Sequence, residues 1–143
     1  MQPHISVTPI WSDEDLLELR VAASNLNFFG SVELYAQHSA LKDMAALLDG
    51  FPNVASDTRC ISWGATGGGY AGGYAQMSFR CSDGAGHPVA DVQLISRWTS
   101  DGVPVQSVKL SMAFEAASLD AFAANLSDLR PENRLGATLW GVV

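Results

Sequence analysis

The stretch Val105-Gln106-Ser107-Val108-Lys109-Leu110-Ser111-Met112-Ala113-Phe114 is followed by a second one, Ser118-Leu119-Asp120-Ala121-Phe122-Ala123-Ala124-Asn125-Leu126-Ser127-Asp128-Leu129, and the hydrophobic period changes between them. In the first, Val108, Leu110, Met112 and Phe114 recur every second residue, the mark of a strand with one apolar face. In the second, Leu119, Phe122, Ala123, Leu126 and Leu129 recur at spacings of three, one, three and three, which trace one stripe on a helix. Ser118 is read as its N-cap, Asp120 lies near the positive end, and Pro131 ends it. A half-buried strand leading into an amphipathic helix belongs to the α+β class, because each apolar face needs another layer to cover it.

Working outward from this stretch, the same two periods organise the rest of the chain. Leu17, Leu19, Val21 and Ala23 alternate with Glu18 and Arg20, and Phe29 to Ala36 alternates again after the turn Asn25-Leu26-Asn27. Ile5 to Trp11 alternates weakly and contains Pro9, so it is expected as a short edge strand. Ser39 caps a helix with Leu41, Met44, Ala45 and Leu48 on its stripe, and Gly50 and Pro52 stop it. Strands are expected over Thr58–Trp63, Tyr74–Cys81 and Val89–Trp98, and Leu135–Val143 is a candidate for a last one. Connections are too short for parallel crossovers. The expected fold is therefore one mostly antiparallel, curved sheet of about six strands with two helices packed on it, in the order β-β-α-β-β-β-β-α. Residues 1–143 form a single domain, an ordinary length for one.

Composition narrows the partners. Apolar residues make up 48% and charged residues only 16%, with a formal net charge of −7. The eight basic residues are scattered, so grouped cations for nucleic-acid phosphates or an anionic membrane are missing. Acidity keeps such a chain soluble, and it would also speed encounter with a basic protein. No apolar run approaches a membrane span, and Met1-Gln2-Pro3-His4 does not open a signal peptide, so a cytoplasmic protein is expected.

The motifs that resemble chemistry each have a plainer reading. Gly64-Ala65-Thr66-Gly67-Gly68-Gly69-Tyr70-Ala71-Gly72-Gly73 holds six glycines in ten residues, and Gly67, Gly69 and Gly72 fit G-x-G-x-x-G. A dinucleotide site needs a helix after that fingerprint, and a strand follows here. The loop is expected as a flexible hairpin connection, with Tyr70 and Tyr74 as contacts if it works as a mobile flap. Register matching of apolar faces sets Ile61 and Trp63 against Met77, Phe79 and Cys81. That turns Cys60 to the opposite face from Cys81 and excludes a disulfide. His4, His38 and His87 lie in separate segments, read without an acidic partner at the spacing of a ligand pair or an oriented base. Asp13-Glu14-Asp15 is a solvated turn without calcium-loop spacing. No cofactor, metal site or catalytic set is expected. Trp63 and Trp98 end strands in apolar register, where core packing is the ordinary outcome and an interface the other.

Leu17-Glu18-Leu19-Arg20-Val21, Gly30-Ser31-Val32-Glu33-Leu34-Tyr35, Leu48-Asp49-Gly50-Phe51-Pro52, Met77-Ser78-Phe79-Arg80-Cys81 and the helix from Ser118 together resemble a family of small uncharacterised bacterial proteins. The resemblance covers most of the chain, rests on packing and turn patterns, and implies no site residues. Small acidic domains of this kind also resemble immunity proteins that neutralise toxins. Two function classes follow. One is a protein-interaction module, immunity-like or regulatory, with a protein partner or self-association. The other is a small-molecule-binding domain or small enzyme with a pocket between sheet and helices.

Overall fold

A computed structural model of the chain describes residues 1–67, 71–99, 101–132 and 135–143. The elements are β1 (His4–Ser12), β2 (Leu16–Ser24), β3 (Phe29–Gln37), α1 (Ala40–Ala46), β4 (Arg59–Gly64), β5 (Tyr74–Cys81), β6 (Pro88–Ile95), β7 (Ser107–Ala113), α2 (Ala116–Asp128) and β8 (Ala137–Trp140). The α+β class and the antiparallel pairing hold, but the single sheet of about six strands does not. The strands form two four-stranded antiparallel sheets, ordered β3-β2-β1-β8 and β4-β5-β6-β7. The reason is coverage. Helices of 7 and 13 residues are too small to bury one long sheet, whereas two sheets with one apolar face each bury one another.

The alternation that marks each strand becomes the core. Ile5 and Val7 of β1, Leu17, Leu19, Val21 and Ala23 of β2, and Val32 and Leu34 of β3 face Ile61, Met77, Phe79, Val92, Leu94 and Leu110 of the second sheet within one buried cluster. Phe79 centres an aromatic group, edge-on to Phe114 at 5.9 Å and tilted against Phe51 at 6.2 Å between ring centres.

The first strand corrects the expectation of a short edge. β1 has nine residues and lies between β2 and β8. Pro9 is tolerated because β8 pairs only with His4 to Val7, so β1 has already lost that neighbour where the missing N–H falls. A bulge follows at once: Pro9 pairs Leu19 while Trp11 pairs Glu18. The order before α1 is thus three strands, and β8 closes the sheet from the far end of the chain.

α2 presents the expected stripe, with Leu119, Phe122 and Leu126 fully buried, Leu129 buried and Ala123 packed against the core. Its start differs. Glu115 is the N-cap and makes no side-chain cap bond, so Ser118 lies inside the helix and Asp120 beyond its first turn. β6 ends at Ile95, short of Trp98, which is 49% exposed, whereas Trp63 is buried. The two helices pack on each other, α2 on β8 and α1 on β3 and β4, so they bridge one sheet to the other. Among the described residues no helix is long and apolar enough to cross a membrane.

Candidate functional site

Where the two sheets meet, β3 runs across one end of the second sheet, and glycines make the crossing possible. At Gly30 an added Cβ would collide with Val108. At Gly72 it would sit 3.1 Å from the Leu34 Cα, and at Gly73 2.7 Å from the Ile95 carbonyl oxygen. The Gly73 N–H donates to the Glu33 carbonyl at 2.9 Å. The flanks of the glycine-rich segment are therefore packed against β3, contrary to the expectation of a flexible connection throughout. Backbone can approach backbone here only where no side chain intervenes. Tyr70 lies outside the described residues. Tyr74 is half-buried at the start of β5 and donates its hydroxyl to Gln76 Oε1 at 3.0 Å.

That hydrogen bond leads to the outer face of the second sheet. The antiparallel register aligns outward residues in rows across all four strands. One row is Cys60, Ser78, Asp91 and Ser111; the next is Ser62, Gln76, Gln93 and Lys109. Side chains in such rows are close enough to touch, and here they are almost all polar. Asp91 is the centre. Arg80 donates to it twice, from Nε at 2.7 Å and Nη2 at 3.2 Å, and the Ser111 hydroxyl donates at 2.6 Å. The Arg80 hydrogen bonds hold the Asp91 carboxyl below its ordinary range. Partial burial opposes them and Ser111 assists. Cys60 accepts from Gln76 Nε2 at 3.4 Å and from the Ser78 hydroxyl at 3.7 Å. Cys60 is exposed and Cys81 packs on the core side, both as free thiols, as the register argument requires.

A trough of about 530 Å³ runs over these rows, with Phe28, Gln76, Asp91, Gln93, Lys109 and Ser111 in its lining. Phe28 belongs to the turn between β2 and β3, and Asn25 positions that turn. Its side-chain oxygen accepts from the N–H groups of Asn27 at 3.0 Å and Phe28 at 2.8 Å, and its amide donates to the Ser111 carbonyl at 3.2 Å. Leu26 takes a positive φ of 77°, a conformation that side chains other than Gly and Asn rarely adopt. The result is a braced tip that leaves Phe28 62% and Phe29 65% exposed.

Other sequence candidates stay apart from the trough. His87 does have an acidic partner, contrary to the sequence reading. Its Nδ1 lies 2.6 Å from Asp83 Oδ2 in the turn between β5 and β6, and that hydrogen bond raises its pKa. The pair is exposed, like an ordinary surface ion pair. His38 contacts the Asp13 carbonyl at 2.7 Å, and His4 lies against Trp140. Among the described residues no three His, Cys, Asp or Glu side chains gather as a metal site would require. The site reading missed Asn25, Phe28, Gln76, Asp91, Gln93 and Lys109. Their outward alternation was legible, but the register that lines them up across β5, β6 and β7 was not. Comparison with protein-family profiles, with curated proteins and with solved structures finds no match to this chain.

Proposed function

We propose that this protein is an interaction module that binds another protein through the outer face of the second sheet and the adjoining Leu26–Phe29 tip. The observation that carries the reading is the braced tip: Phe28 is held in solvent against a polar trough, and its neighbour Phe29 is equally exposed. Exposed aromatic anchors next to hydrogen-bonding groups are what protein interfaces concentrate. A non-glycine residue at positive φ on that tip adds to it, since backbone strain collects where geometry serves a contact. The immunity-like or regulatory partner binder belongs to this class.

Photo-crosslinking tests it. Benzoylphenylalanine in place of Phe28, irradiated in lysate of the source organism, should yield one discrete adduct. The same residue in place of Arg20, on the outer face of the first sheet, should yield none. Adducts from neither site, or equally from both, would sink the reading. An adduct with a second copy of this chain would make self-association its form. The trough also favours a second reading, a small polar ligand, because its volume falls in the range of ligand pockets and Gln76, Gln93 and Lys109 line it. A thermal-shift screen of polar metabolites supports that reading if one ligand raises Tm and Gln93→Ala abolishes the shift.

A further inference from the structure

The charges on this face do not follow those of the whole chain. The outward residues of β4 to β7 include Arg80, Lys109 and Asp91 as their charged members, which leaves the face one positive charge in a chain of net charge −7. Asp91 is already occupied: Arg80 and Ser111 fill it with three hydrogen bonds. It has little left to offer a partner's cation, and Arg80, whose charge Asp91 balances, is not part of the trough lining. Lys109 is different. It is exposed, and among the described residues its ammonium finds no hydrogen-bond or ion-pair partner. Gln93 stands directly opposite it in the register, and among the described residues its amide has no partner either. Two unused donor groups therefore lie side by side in the trough lining with Phe28, next to an Asp91 already balanced by Arg80.

From this we infer that the partner presents an acidic polypeptide segment to the trough. A carboxylate side chain lies on Lys109, the neighbouring peptide group or carboxylate accepts from Gln93, and an apolar residue beside it packs on Phe28. The chemistry follows from the donors available: an ammonium and an amide N–H set select a carboxylate, and the phenyl ring selects an apolar neighbour. The acidity of the rest of the chain repels such a segment at a distance. Screening confines that repulsion to within about 8 Å at physiological salt, so the contact groups decide the choice at short range. The inference rests on the interaction-module reading and names its partner's chemistry.

The test uses the full chain, ¹⁵N-labelled, titrated with terminally blocked peptides Gly-Phe-Asp-Gly-Phe-Asp-Gly, its Asp→Asn counterpart and its Asp→Lys counterpart. The acidic peptide should move the amide signals of Gln76, Gln93 and Lys109 and those of Phe28 and Phe29 in a saturable way. The Asn peptide should bind about fivefold more weakly, the scale of one exposed charge pair, and the Lys peptide more weakly still. Lys109→Gln should cost about the same factor for the acidic peptide alone, while Lys109→Arg keeps binding. Equal or better binding of the Lys peptide, an unchanged affinity for Lys109→Gln, or shifts scattered away from this face would overturn the inference. Free glutamate binding as tightly as the peptide would overturn it too, in favour of a small-anion site. If the acidic peptide fails while crosslinking from position 28 succeeds, the carboxylate inference falls and the interaction module stands. If both fail, both fall.

Discussion

Asp91 and His87 show how differently two ion pairs act, one on a sheet face and one in the turn beside it. Asp91 sits among Arg80, Ser78 and Ser111 in the middle of a face, and its depressed pKa makes its contribution to stability present above the unfolded value near 3.8 and lost as pH falls through the folded value. Asp91→Asn should therefore flatten the acid limb of stability, read from denaturant melts at successive pH values. His87 is pushed the other way by Asp83, so its contribution is present below pH 6.5 and lost as pH rises through its raised folded value. An NMR titration should place His87 above 6.5 in the native chain, and Asp83→Asn should return it toward that value; no change on substitution would show that the pair does not form in solution. In the core, Phe122 is fully buried on α2, and Phe122→Ala should cost about 3–5 kcal/mol, as for large core aromatics. A loss below about 1 kcal/mol would mean that the helix does not present this face inward.

At the level of elements, the segment between β4 and β5 carries the sharpest consequence. A glycine-rich connection that merely closes a hairpin could be shortened with little effect, because closure entropy varies slowly with length. Here Gly72 and Gly73 lie against β3, and Gly73 donates to Glu33. Replacing residues 67–73 with Asn-Gly should then lower stability, by about 1 kcal/mol for the lost hydrogen bond and more for the lost packing. Gly73→Ala should cost about 1–3 kcal/mol, because its new methyl meets the Ile95 carbonyl. An unchanged Tm in both variants would detach the segment from β3. The β2–β3 tip shows the opposite economy: Asn25 spends its side chain on three hydrogen bonds so that Phe28 and Phe29 stay out of the core.

For the whole molecule, long-range ties decide cooperativity. β8 pairs with β1 from the other end of the chain, and the Phe114–Gly141 bridge with the Val142 N–H bond to Ala113 joins the two sheets on that side. β3 joins them on the other. Unfolding should be one transition, with far-UV circular dichroism and tryptophan fluorescence coinciding, since Trp63 is buried and tied to Ala40 of α1. Two separated transitions would mean that the sheets fold independently. Thiol titration of the unfolded, unreduced chain should count two free thiols.

How much of this was legible follows from the range of the interactions involved. Alternation in β2, β3, β5 and β7 and the stripe Leu119, Phe122, Leu126 on α2 declare themselves within a few residues, because strand and helix periods are local properties of the backbone. The opposite orientation of Cys60 and Cys81 was legible too, since one hairpin sets its own register. Local period says nothing about which strand lies beside which. The division into two sheets, the central place of β1 and the late arrival of β8 are settled by burying two apolar faces at once. The candidate site depends on the same step: Gln76, Asp91, Gln93 and Lys109 come from three strands, and only their packing into one sheet brings them into rows under Phe28. Sequence determined which side of each strand would meet solvent; tertiary structure decided what those sides form together, because register between strands is an energy of the assembled sheet and not of any one segment.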